Sequence, residues 1–167
     1  MVCRAIRASL LALLLVVAFA PAAGAHPALN PSEIAAGEPV AATLVVPHGC
    51  NPAGGMPDGA SASPTTEIAV RTPAGVTVAP QDVAGWNVEV SDAEAVVTWR
   101  DDGGATTEPI ELPVIITATG AVGDVRYLEA FQACEQGEFR WIGTPDREAE
   151  WPAVKLTVAS TTSKPAD

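Results

Sequence analysis

From residue 42 onward, short apolar stretches alternate with clusters of Gly, Pro, Asp and Ser. The stretches rich in β-branched and aromatic residues occupy 42–46, 67–71, 76–79, 86–90, 95–100, 112–119, 125–131, 138–142 and 154–159. That is the punctuation of strands joined by turns. In Glu67-Ile68-Ala69-Val70-Arg71 the ends are charged, and Ile68 and Val70 fall on one face with a period of two. A half-buried strand requires that alternation. None of these segments sustains a helical period, so the pattern predicts an all-β fold, an antiparallel β-sandwich. Turn chemistry sits between the strands, as in Thr72-Pro73-Ala74-Gly75 and Asp101-Asp102-Gly103-Gly104.

Three stretches depart from this pattern. Residues 51–64 carry almost no apolar residue except Met56 and many Gly and Pro, which predicts an exposed, mobile loop. Residues 161–167 read as a polar tail. At the other end, Arg4 and Arg7 precede an apolar run from Leu10 to Ala20, and Ala23-Gly24-Ala25 follows. A charged start, an apolar middle and a small-residue cleavage site make a secretory signal peptide over residues 1–25. The apolar run is about half the ~20 residues that span a bilayer. The expected mature chain therefore begins at His26, lies in the periplasm or outside the cell, and carries no stable membrane anchor.

Removal of the signal leaves 142 of the 167 residues, one domain over 26–160 with room for a core. The signal takes two of the nine basic residues and none of the twenty acidic ones. Seven basic against twenty acidic residues remain, a formal charge of −13. Such a surface repels nucleic acid and anionic lipid. Scattered carboxylates do not by themselves make a metal site, because they lack convergent geometry. Cys3 leaves with the signal, so Cys50 and Cys134 remain. In an oxidising compartment that pair reads as a disulfide. A thiolate site for copper(I) is the competing reading.

Candidate chemistry is sparse: the chain has two histidines, His26 and His48. A histidine in first position offers its α-amine and its ring Nδ1 to one metal, closing a chelate without help from the fold. Two nitrogens in that arrangement suit copper(II). Both must be unprotonated, which is feasible near neutral pH and weakens as the medium acidifies. Pro27 has no backbone N–H, so the next peptide nitrogen cannot become a third ligand. The plain alternative is that His26 merely follows a cleavage site.

A longer set of residues bears on that choice. Ala25-His26, Asn30-Pro31-Ser32-Glu33, Ala36-Gly37 and Val45-Val46-Pro47-His48-Gly49-Cys50 open the set. Pro64-Thr65-Thr66-Glu67-Ile68-Ala69-Val70, Pro73-Ala74-Gly75-Val76, Gly85-Trp86 and Val97-Thr98-Trp99 continue it. Phe131-Gln132-Ala133-Cys134-Glu135-Gln136-Gly137 and Trp141-Ile142 close it. In order and spacing these resemble the YcnI family of exported copper-binding proteins. The resemblance implies an immunoglobulin-like sandwich that holds copper(II) in a single-histidine brace at the mature N-terminus, beside a tryptophan. By position His26 matches the brace and Trp141 the tryptophan, while Trp86 and Trp99 match positions read as core packing. It also implies copper transporters or other exported copper proteins as partners.

The chain departs from the family at several points. Some members carry a carboxylate just after the Val-Pro turn, where this chain has His48-Gly49-Cys50. No carboxylate ligand carries over to that position, and His48 becomes a candidate additional ligand or else an ordinary turn histidine. Pro27 stands where a β-branched residue is commoner, and the 51–64 loop is longer than usual. Three functions follow as expectations. The first is a non-enzymatic protein of copper homeostasis or delivery. The second is a histidine-brace copper oxygenase with His48 as second histidine, against which stands the lack of an aromatic-rich substrate face. The third is a metal-free interaction module. No nucleophile motif or spaced carboxylate pair points to hydrolysis.

Overall fold

Alternation of buried and exposed residues sets the strands. A computed structural model describes residues 25–57 and 62–161. The expected signal up to residue 24 and the tail from residue 162 lie outside the described residues. Among the described residues twelve strands form: β1 (Ala28–Asn30), β2 (Glu33–Ala35), β3 (Val40–Val46), β4 (Thr65–Arg71), β5 (Val76–Pro80) and β6 (Trp86–Ser91), then β7 (Val96–Asp101), β8 (Ile110–Ala118), β9 (Val125–Cys134), β10 (Glu138–Gly143), β11 (Trp151–Pro152) and β12 (Val154–Ala159). Each of the nine expected segments is a strand. β1, β2 and β11 were not expected, because two or three residues are too few to display a period; pairing with β3, β12 and β10 creates them.

The strands build two sheets. The smaller has the order β1-β3-β8-β5 and is antiparallel throughout. The larger runs β11-β10-β9-β4-β7-β6, with β12 beside the first half of β9 and β2 beyond β12. Two strand pairs, β10–β11 and β12–β2, are parallel. Inward residues of β8, Leu112, Val114 and Ile116, join Ile68, Val70, Trp99, Leu128 and Leu156 of the other sheet in a single core. Two apolar faces interdigitating in this way make a sandwich. Trp86 and Trp99 are core residues, as expected. Among the described residues no helix is long and apolar enough to cross a membrane.

Cys50 and Cys134 are joined by a disulfide, so neither sulfur is a thiolate ligand. The bond also revises the 51–64 loop. Residues 52–55 are exposed as expected, but the ends are pinned. Cys50 and Ser63 exchange backbone hydrogen bonds of 3.0 and 2.6 Å, and Ser63 is buried. Met56 packs against the core instead of lying free, and its carbonyl accepts from Asn51 Nδ2 at 3.3 Å. A tether at Cys50 holds the loop close enough for the apolar thioether to leave water.

Candidate functional site

Strand register decides where the expected mature terminus lies. β1 pairs antiparallel with β3 through Ala28↔Val45, Leu29↔Leu44 and Asn30↔Thr43. The residues before Ala28 therefore run past the C-terminal end of β3, alongside His48. Buried Pro27 and Leu29 anchor this segment, while His26 is exposed. The Ala25 carbonyl lies 3.2 Å from His48 Nε2. An amide oxygen and the nitrogen of the same peptide are about 2.3 Å apart, so the His26 nitrogen lies within about 5.5 Å of His48 Nε2.

Beneath the two imidazoles lies a floor of aromatic rings. Phe139 and Trp141 point inward from β10, two residues apart as the pleat requires. The His26 ring stands edge-on to Trp141, with centroids 5.7 Å apart and an interplanar angle of 89°. His48 lies 5.7 Å from Phe139 and 6.3 Å from Trp141. Half-buried Trp151 on β11 closes the cluster, 5.2 Å from Phe139 and 5.6 Å from Trp141. His26, His48 and Trp141, far apart in sequence, thus meet at one end of the sandwich.

The cluster is held by a buried amide. Gln132 on β9 is 1% exposed; it accepts from Trp141 Nε1 at 3.2 Å, and its Nε2 donates to His48 O at 2.7 Å and Thr65 Oγ1 at 2.8 Å. Gly49 fixes the turn that carries His48. A Cβ there would overlap the Ser63 carbonyl, so the close approach of the two segments requires glycine.

The ring polarity of His48 follows from its neighbours. Nδ1 faces the Gly49 carbonyl at 2.7 Å. Donation of Nδ1–H to that carbonyl leaves Nε2 with its lone pair outward, the tautomer of a metal-ligating histidine. While Ala25 is present, its carbonyl oxygen occupies the Nε2 side of the ring. Cleavage before His26 would remove that oxygen and supply a free amine in its place. Among the described residues no group of three or more His, Cys, Asp or Glu side chains could hold a metal ion. The donors assembled here are therefore two imidazoles and the prospective terminal amine, with no carboxylate completing them. On the exposed face of the large sheet, Arg100 donates to Glu89 and Glu67, and these bonds raise its pKa.

The model of the domain of unknown function DUF1775 matches residues 26–158. The chain belongs to the DUF1775 family. YcnI proteins fall in this family, and the match opens at His26. This DUF1775 chain is also similar to an uncharacterized protein from Nocardia farcinica whose crystal structure reveals an immunoglobulin-like fold. The TM-score is 0.61 at 22% identity, covering 82% of this chain and 100% of that one. The sandwich is accordingly immunoglobulin-like. A type I cohesin from Pseudobacteroides cellulosolvens is similar at a TM-score of 0.42 and 11% identity, over 85% of this chain and 96% of its own. That likeness is too remote to bear on function. No curated protein matches the DUF1775 chain.

Sequence reasoning missed Gln132, Phe139 and Trp151 as parts of this end of the molecule. For Gln132 a signal existed: with Leu128 and Ala130 it continues the inward row of β9, where an amide is out of place unless bonded. Phe139 shares the inward face of its strand with Trp141 and was legible in the same way. Trp151 gave no such signal, because its strand is two residues long.

Proposed function

We propose that the mature chain is an exported copper(II)-binding protein of copper homeostasis or delivery, with no catalytic turnover. The metal would be bound by the His26 amine and Nδ1, with His48 Nε2 as the further nitrogen and Trp141 beside it. One observation carries this reading: the peptide nitrogen of His26 lies within about 5.5 Å of His48 Nε2, over the same indole that the His26 ring contacts. A single ion ligated by both nitrogens would close that gap with a small side-chain adjustment. Nitrogen donors without thiolate favour copper(II) over soft copper(I). Copper transporters or other exported copper proteins are the proposed partners.

The test is a spectroscopic copper(II) titration of protein beginning at His26, beside protein that retains Ala25. Stoichiometric binding by the first and much weaker binding by the second is expected. Equal affinity in both would sink the terminal-amine brace, and no retained copper in either would favour a metal-free module. A second reading has one observation in its favour: the nearness of His48 supplies the second imidazole of a three-nitrogen oxygenase site. Copper- and reductant-dependent oxidation of a polysaccharide would establish that reading in place of simple binding.

A further inference from the structure

Gln132 is a buried amide in an apolar interior, and each of its polar atoms has a partner. The indole N–H of Trp141 can only donate and the His48 carbonyl can only accept, so chemistry alone orients the amide: Oε1 faces Trp141 and Nε2 faces His48. The second Nε2 hydrogen goes to Thr65 Oγ1. One side chain of β9 thereby reaches across the sandwich. It clamps the ring lying under His26 and the backbone of the residue that presents the second imidazole. Cys50 and Cys134, bonded to each other, stand two positions beyond His48 and Gln132, so the clamp and its covalent brace share the same two segments.

We infer that Gln132 is a positioning residue of the copper site: through its bonds to Trp141 and His48 it sets the indole and the second imidazole relative to His26, and so tunes the bound metal without touching it. This rests on the copper reading above. A merely structural amide would influence stability and leave the metal's environment alone. Partners that orient metal ligands typically alter affinity by about 10–100-fold when removed, and a clamp on both the ligand backbone and the adjacent ring belongs to that class.

The test compares mature wild-type protein with Gln132→Leu, each checked for folding by near-ultraviolet circular dichroism, in a copper(II) titration followed by electron paramagnetic resonance and tryptophan quenching. The folded variant is expected to bind about 10–100-fold more weakly, with altered copper hyperfine splitting and reduced quenching. A folded variant that is less stable but keeps wild-type affinity, splitting and quenching overturns the inference. If Gln132→Leu does not fold, Thr65→Val removes one of the amide's acceptors while leaving its bond to Trp141. The same spectral change at smaller amplitude supports the positioning role, and an unchanged spectrum and affinity refute it. Wild-type protein that takes up no copper(II) would defeat the proposed function, and the inference with it; a wild type that binds beside an indifferent variant defeats the inference alone.

Discussion

Two tryptophans of the same size separate packing from positioning at the scale of single residues. Trp99 and Trp141 are both fully buried, but Trp99 Nε1 has no partner among the described residues while Trp141 Nε1 donates to Gln132. Trp99→Phe loses ring area only. Trp141→Phe loses similar area and also leaves Gln132 Oε1 unpaired, a penalty of about 1–3 kcal/mol. Denaturant unfolding should therefore find Trp141→Phe the less stable of the two by about that amount. His48 permits a second prediction, on binding. His48→Ala should weaken copper(II) uptake by about tenfold or more. Both imidazoles and the amine must shed protons to bind, so wild-type affinity should fall steadily as the medium is acidified from neutral pH. Competition titration measures both effects. An affinity that does not change with pH would argue that nitrogen bases are not the ligands.

Among the elements, the short ones matter most to the site. β1 is three residues long, yet its register against β3 is what carries His26 to the His48 turn. That turn is positioned by the approach of Gly49 to Ser63. Gly49→Ala forces the two segments apart, and a destabilisation of about 3 kcal/mol or more is expected from overpacking, read as a lower midpoint in thermal or urea unfolding. A neutral result would mean that the segments separate freely. The long elements were the legible ones. β8 alternates over nine residues, burying Ile110, Leu112, Val114, Ile116 and Ala118, and such repetition shows in a single sequence. β1, β2 and β11 did not show, because they exist only through partners distant along the chain.

For the molecule as a whole, the disulfide ties the smaller sheet's outgoing segment to the end of β9 across 84 residues of sequence. On the chain-entropy account, closing such a loop contributes about 4–5 kcal/mol. Replacing Cys50 and Cys134 together by Ala should lower unfolding stability by up to about that amount. It should also weaken copper(II) binding, since His48 and Gln132 sit beside the bridge; denaturant melts and copper titration of the double variant report the two losses separately. The sequence by itself determined the all-β class, the nine longer strands and the candidacy of His26 and of a Cys50–Cys134 pair, because alternation and residue chemistry are local properties; the structure decided that the two sulfurs are bonded. It also pointed to Trp141, by resemblance. Only the tertiary structure decided that His26, His48 and Trp141 share one end of the sandwich, that Met56 packs against the core, and that Gln132 joins the indole to the His48 backbone. Those relations depend on strand register and on how two sheets face one another, and both are set by contacts between residues far apart in the chain.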